Sequence, residues 1–483
     1  MSFNSLEFAL FLPLVFLLYW SVAGDGHRRQ NLVLLGASCI FYGWWDWRFL
    51  GLMAGSVLVD FLTGLLIYRQ PHPGKRKALL LVSLAFNLGI LLFFKYFNFF
   101  VESFADAFTL FGTSVDSWTL RIILPIGISF YTFQTLSYSI DVYRNRVIPT
   151  TDLLAFASFV SFFPQLVAGP VERATDLLPQ MLRRRTFNYA LAVRGLRQIL
   201  WGLFKKVAVA DSCAIIVNDI FGHYEYYSGS TLLLGAILFA GQIYCDFSGY
   251  SDMAIGLARL FGIKLSRNFA FPIFARNIRE FWQRWHITLT QWFRDYLFNV
   301  LPGSRRSRSS LGLRILVVFL VTGLWHGANW TFVVWGGLNG VWLAASLYFR
   351  NRTRGGLFGL VKPGRLGSRE VVQIITTQMT CALLLVFFRS PSIGDAMQYL
   401  SGIFSPSLFD PITFASLSWR NLMAIPLLTF MVVVEWRGRH DDFALEKMGL
   451  DWPLPHRWMA YAALLILSGA VARESIPFIY FHF

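Results

Sequence analysis

Long apolar runs separated by short polar loops fill the chain from one end to the other. A helix rises about 1.5 Å per residue, so about 20 mainly apolar residues cross a hydrocarbon layer about 30 Å thick. Roughly a dozen stretches meet that condition, and the pattern predicts an all-α polytopic membrane protein with about 11–13 membrane helices. The first run, near Phe3 to Val22, could pass for a signal peptide. It carries Glu7 instead of a basic start and further spans follow at once, so it is expected to be the first of many helices.

The loops alternate in charge. His27-Arg28-Arg29, then Arg69 with Lys75-Arg76-Lys77, then Arg144 and Arg146 fall on one side, while the loop from Glu102 to Asp116 between them is acidic. Short cytoplasmic loops are enriched in Lys and Arg, which puts the basic loops inside and the amino terminus outside. The apolar run 152–168 has basic loops at both ends and is broken by Phe162-Phe163-Pro164 and Gly169-Pro170. Proline removes a helix donor and an unpaired carbonyl is costly in lipid, so a re-entrant segment or a kinked, buried half-span is expected there.

From Arg194 the chain is expected to cross outwards, meet the acidic loop around Asp219 and Glu225, and return through 231–258. The stretch Arg259 to Ser310 is rich in Arg and has no clean apolar run, which suits the cytoplasmic face. Within it Arg279, Gln283, His286 and Thr290 recur at 4, 3 and 4 residues, and Trp285, Leu289, Trp292 and Tyr296 form an apolar counterpart. This predicts an amphipathic helix at the interface or along a protein-lined cavity. Residues 311–349 begin and end at basic clusters and imply two passes, with Trp325-His326-Gly327-Ala328-Asn329-Trp330 in the turn. From Arg314 to His326 is 12 residues, or about 18 Å of helix, which places the histidine beyond the bilayer midplane. Spans near 371–388, 421–436 and 457–472 leave the carboxyl terminus outside as well. With no internal repeat, low-complexity tract or separate soluble domain, residues 1–483 are expected to form one integral-membrane domain.

Composition narrows the function. Hydrophobic residues make up 55% and charged residues 14%, with a mean hydropathy of +0.51, whereas soluble domains average roughly 25% charged. A soluble enzyme, a disordered tail and a disulfide scaffold are thereby excluded. The net charge of +16 sits in short loops between apolar runs, which argues for membrane orientation and against nucleic acid. Cys39, Cys213, Cys245 and Cys381 lie apart, with neither a CxxC pair nor metal-ligand spacing, and read as packing residues with no metal site.

Ionisable residues inside apolar runs cost about 2.5–3.5 kcal/mol each on insertion scales and mark the candidate chemistry. His326 comes first. The plain reading is a neutral imidazole satisfied by a backbone carbonyl or by Asn329; the functional one is a general base for a hydroxyl, favoured by Gly327 and the two flanking Trp. His286 could simply face headgroups. Asp246 and Asp252 are six residues apart and share no helix face unless the helix breaks at Gly249. Binding basic side chains of the 259–310 stretch is the plain reading for them, and orienting a histidine the functional one. A G-x-S-x-G elbow, a Walker A loop, a dinucleotide glycine fingerprint and an HExxH helix are all missing. Acyl transfer directly between two bound substrates needs only a base.

The chain resembles the membrane-bound O-acyltransferases, within them the bacterial alginate O-acetylation branch. The resemblance rests on Ile123-Leu124-Pro125-Ile126-Gly127-Ile128-Ser129-Phe130-Tyr131, on Phe163-Pro164-Gln165 with Ala168-Gly169-Pro170, and on the run Asp246-Phe247-Ser248-Gly249-Tyr250-Ser251-Asp252-Met253-Ala254-Ile255-Gly256. Glu280-Phe281-Trp282 with Arg284-Trp285-His286-Ile287 follows, then Gly323-Leu324-Trp325-His326-Gly327-Ala328-Asn329-Trp330. These motifs keep the family's order and make 120–345 the motif-rich core.

The resemblance implies a fold whose helices, with re-entrant and cytoplasmic interfacial elements, ring a central funnel. It implies an inner-membrane acetyltransferase for an extracytoplasmic polysaccharide, with both termini periplasmic. It makes His326 the catalytic histidine and His286 the assisting one, with Asp246, Ser248, Asp252, Arg279, Arg284, Trp325 and Asn329 as substrate-binding or supporting residues. Acetyl-CoA is the implied donor, and no cofactor is expected to be bound permanently. A periplasmic or membrane-anchored partner resembling SGNH hydrolases and a polysaccharide synthesis and export complex are the implied partners. Two features leave the polymer open among alginate, cellulose and peptidoglycan. Leu301-Pro302-Gly303-Ser304-Arg305-Arg306 departs from the branch's Leu-Gly-Gly-Asn-Arg turn, and Phe478-Ile479-Tyr480-Phe481-His482-Phe483 is close to the terminal aromatic sequence of other members, including ones acting on different polymers. The rival reading from another class is a transporter or channel that moves acetyl groups or polysaccharide without chemistry.

Overall fold

Helix is the only regular secondary structure among the described residues of the computed structural model, which are 1–22, 24, 26–109, 119–303, 308–349, 367–413, 422–472 and 478–479. The end of the acidic loop (110–118), the arginines at 305, 306, 350, 352 and 354 and the last four residues lie outside them. The chain divides into two compact units, residues 1–195 with 257–266, and residues 196–256 with 267–483. Among the described residues, five helical runs are long and apolar enough to cross a membrane: Arg48–Arg69, Pro73–Thr109, Gly229–Leu260, Ser309–His326 and Ser368–Arg389. The protein is therefore an all-α, multi-pass membrane protein.

The first unit holds helices α1 (Leu6–Ser21), α2 (His27–Asp46), α3 (Arg48–Arg69), α4 (Pro73–Leu91), α5 (Phe97–Thr109), α6 (Ile128–Tyr143), α7 (Leu153–Ser161), α8 (Phe163–Leu166) and α9 (Ala174–Met181). A π-helical turn, Leu92–Tyr96, joins α4 to α5. Asp60 of α3 ties three helices together. Its carboxylate accepts from Ser83 and, at 2.7 Å, from the Asn87 amide on α4, and at 2.6 Å from the Ser139 hydroxyl on α6. The apolar run 152–168 folds as α7, nine residues long, then a non-helical Phe162, then the four-residue α8. At about 1.5 Å per residue α7 is far too short to cross a bilayer, and beyond its exposed first residue, Leu153, most of it is buried. Gly127 starts α6 with φ +77°, and a Cβ there would come within 2.5 Å of the Leu166 carbonyl oxygen, so the Pro-Ile-Gly motif needs its glycine.

The second unit takes up most of α10 (Tyr189–Leu203), a π-helical segment Phe204–Ala210, α11 (Asp211–Gly222), α12 (Gly229–Leu260, through Gly256), α13 (Ile278–Arg284), α14 (Ile287–Phe293), α15 (Arg308–His326), α16 (Trp330–Phe349), α17 (Ser368–Arg389), α18 (Ile393–Ile403), α19 (Ala424–Arg437) and α20 (Leu454–Val471). α12 runs for 32 residues without the break at Gly249 that would have put Asp246 and Asp252 on one face. α15 and α16 approach closely through glycines spaced as Gly323-x3-Gly327 and Gly336-x3-Gly340. A Cβ on Gly323 would run into the carbonyl oxygen of Phe332, and one on Gly336 into that of Phe319. In lipid, where apolar surface gives no drive to associate, such small-residue contacts hold helices together.

Candidate active site

α15 ends at His326, and the chain passes through Gly327 and Ala328 into α16, so the imidazole sits at a helix end as the glycine predicted. His326 is 3% exposed. Three rings enclose it: Trp325 with centroids 4.9 Å apart, Trp335 at 5.3 Å and Phe388 at 5.4 Å. The second indole is thus that of Trp335, one helical turn and more beyond the turn; Trp330 is exposed. Asn329 is committed elsewhere: its amide donates to the Pro391 carbonyl at 3.0 Å and its oxygen accepts the Thr331 N–H at 2.9 Å. It therefore fixes the start of α16.

The expected continuous helix through His286 is broken there. α13 ends at Arg284, Trp285 is extended, and His286 adopts a left-handed conformation with φ 43° and ψ 54° before α14 begins at Ile287. Backbone bonds explain the break. The Ala270 N–H donates to the Arg284 carbonyl and the Ile287 N–H to the Asn268 carbonyl, each at 2.9 Å, so segment 268–270 pairs with the chain where the helix would have continued. A left-handed non-glycine residue costs about 1–3 kcal/mol and persists only where its surroundings enforce it. Gln283, His286, Trp285, Leu289, Trp292 and Tyr296 are all buried, while Arg279 and Thr290 are half-buried. The two stripes are therefore both interior, and no amphipathic surface helix exists here.

His286 is 1% exposed. Its Nδ1 lies 2.9 Å from Asn268 Oδ1, which also accepts the Thr288 hydroxyl at 3.0 Å. The amide oxygen is the acceptor, so Nδ1 carries the proton. Nε2 is left with its lone pair, buried and without a hydrogen-bond partner among the described residues. The residue lies outside the five candidate spans, and burial pushes its pKa down to about 3, so the ring is neutral at physiological pH. Its ring meets Phe247 edge to face at 4.7 Å and Trp325 at 6.1 Å. One indole, Trp325, therefore touches both histidines.

Among the described residues Asp246 and Asp252 show no hydrogen bond to either imidazole, and of the arginines of 259–310 Arg267 acts on Asp252 electrostatically, across a shared cleft. Their partners are two adjacent lysines in the π-helical segment. Lys206 bonds Asp246 at 2.6 Å and Asp211 at 2.8 Å; Lys205 bonds Asp252 at 2.6 Å and Glu435 at 3.4 Å. Ser248 accepts from Lys205 at 2.9 Å, Gln198 donates to Asp252 at 2.7 Å, and Tyr244 donates to Glu435 at 2.6 Å. The two consecutive lysines lie in the π-helical segment Phe204–Ala210 and serve carboxylates six residues apart. Lys205, Lys206, Glu435 and Asn268 escaped the sequence reading. The first three did leave a signal, being charges inside apolar runs.

Arg284 and Arg276 share Glu280, at 2.5 Å and 2.9 Å, which neutralises part of the arginine-rich stretch. A narrow cleft with room for about one water is lined by Lys205, Ser248, Ser251, Asp252, Arg267 and Asn268 and reaches from the ion cluster to the partner of His286. The cysteines are free; three are buried and Cys39 is half-buried.

A buried neutral histidine at a helix break, with a second histidine against the same indole, is equipped for base-assisted acyl transfer. The chain belongs to the membrane-bound O-acyltransferase family, which residues 39–365 match. It is an O-acyltransferase, which decides the enzyme reading over transport without chemistry. The chain is 36% identical over the whole of both chains (100% of each) to the probable alginate O-acetylase AlgI of Pseudomonas putida. It is 35% identical to the peptidoglycan O-acetyltransferase of Helicobacter pylori over 81% of this chain and 77% of that protein. The teichoic acid D-alanyltransferase of Bacillus subtilis is 28% identical over 47% of this chain and 60% of its own.

Proposed function

We propose that this protein moves acetyl groups from cytoplasmic acetyl-CoA to an extracytoplasmic polysaccharide at the bacterial inner membrane, with both termini on the periplasmic side. An alginate-like exopolysaccharide is the first candidate, since the relative matched end to end is named for alginate; cellulose and peptidoglycan are the alternatives. A periplasmic or membrane-anchored partner resembling SGNH hydrolases completes the transfer beside the polysaccharide synthesis and export machinery.

The carrying observation is His326 itself, an enclosed imidazole at the break between α15, a candidate membrane span, and α16. His326 takes the proton of the acceptor hydroxyl, whether of sugar or of partner. The oxygen bonds the acetyl carbon as the carbon–sulfur bond breaks, and the proton passes from the imidazolium to the departing thiolate. General-base assistance of this kind is worth about 10²–10⁴ in rate. Arg279 and its basic neighbours in 259–310 attract the phosphates of the thioester. The test is a chromosomal His326→Ala substitution with the O-acetyl content of the exported polymer read by NMR. Acetylation is expected to vanish while the protein remains in the membrane; retained acetylation would exclude the base role.

A further inference from the structure

Asn268 is fully buried between α12 and α13, and its side-chain oxygen, side-chain nitrogen and backbone carbonyl are all engaged. Its Oδ1 receives Nδ1 of His286 and the hydroxyl of Thr288, its Nδ2 donates to Ser251 Oγ at 3.2 Å, and its carbonyl accepts the Ile287 N–H. Ser251 on α12 thus accepts from the amide nitrogen while Thr288 on α14 donates to the amide oxygen. The rings facing His286 from the packed elements, Phe247, Phe269 and Trp325, are uncharged. An amide oxygen fixes an imidazole's proton on the near nitrogen without adding charge. A carboxylate in the same place would pull the ring toward imidazolium.

We propose that Asn268 is a positioning residue of the acyl transfer, locking His286 in the tautomer whose free Nε2 accepts a hydrogen bond from the reacting hydroxyl or thiol. The proposal rests on the acetyl-transfer reading above. An unpartnered, buried Nε2 is the feature that asks for such a ligand. The left-handed backbone at His286 is held in part by the same residue, since Asn268 also binds the next N–H along.

The experiment uses the full-length protein in detergent and reads thiol release from acetyl-CoA against pH. Native protein, Asn268→Ala, Asn268→Asp, His286→Ala and the Asn268→Ala/His286→Ala double variant are compared. Asn268→Ala is expected to lower kcat at least about tenfold with little change in KM. The double variant should be no slower than His286→Ala, because the two act as one unit. Asn268→Asp should recover kcat to within about threefold and move the acid limb of the profile upward by about one pH unit or more. Native-like kcat in Asn268→Ala, an additional loss in the double variant, or an unmoved limb in Asn268→Asp would each overturn the proposal. Should Asn268→Ala fail to fold, the Asn268→Asp profile decides alone. No thiol release by the native protein would instead refute the acetyl-transfer reading itself.

Discussion

His286 and Trp325 meet edge to face with ring centres 6.1 Å apart, and the same indole meets His326 at 4.9 Å. The indole is a shared contact of a left-handed backbone position and a helix end. Trp325→Ala would remove a 95%-buried ring at a cost of about 3–5 kcal/mol, enough to unfold many proteins. Trp325→Phe keeps an apolar ring and is the informative variant. It is expected to stay folded yet lose about 10- to 100-fold in turnover through misplacement of the histidines. Turnover and thermal unfolding measured on the same preparation check both halves.

The buried ion cluster predicts an order of severity. Lys205 serves both Asp252 and Glu435, so Lys205→Met strands two carboxylates and should destabilise by about 3–5 kcal/mol or more. Glu435→Gln removes one charge, leaves Lys205 with Asp252 and keeps an acceptor for Tyr244. It should cost distinctly less. Thermal unfolding of the two variants in detergent gives the ranking, and equal costs would deny Lys205 its central place.

The α15–α16 contact predicts sensitivity to a single methyl. Gly336→Ala places a Cβ against the Phe319 carbonyl, and the helices must part to accept it. Overpacking of this kind costs about 1–3 kcal/mol. Because His326 is the last residue of α15, activity should fall more than stability does. Gly337→Ala, whose Cβ would meet only the end of the Leu320 side chain at 3.3 Å, is the matched control.

His286 also predicts a pH effect on stability. Its pKa is lowered from 6.5 to about 3 in the folded state. Below pH 6.5 the unfolded chain therefore binds a proton that the folded chain refuses, and stability falls with pH. The loss at pH 5 relative to pH 7 is about 2 kcal/mol from this residue. His286→Asn removes the titrating group, so its unfolding curve should be flatter between pH 7 and pH 5 than that of the native protein.

The membrane class, the interruption of the apolar run 152–168 and the helix end at His326 were legible in the sequence because each follows from short-range signals: run length, flanking charge, proline and glycine. The break at His286 was not. A 3.6-residue periodicity continues across it, and a left-handed histidine carries no mark such as glycine would; the cause lies in the backbone of 268–270, which pairs from outside the helix. The partners of Asp246 and Asp252 were misplaced for a related reason. Nearby arginines looked sufficient, whereas the bonding lysines lie 40 and 47 residues earlier in the chain, in a π-helical register that sequence does not reveal.

The role of His326 as the base is tested most directly with purified protein, isotopically labelled acetyl-CoA and an acceptor hydroxyl. Native protein is expected to release thiol and label the acceptor, and His326→Ala, with an unchanged unfolding temperature, to fall by about 10²–10⁴-fold in rate. Transfer at the native rate by folded His326→Ala would contradict it.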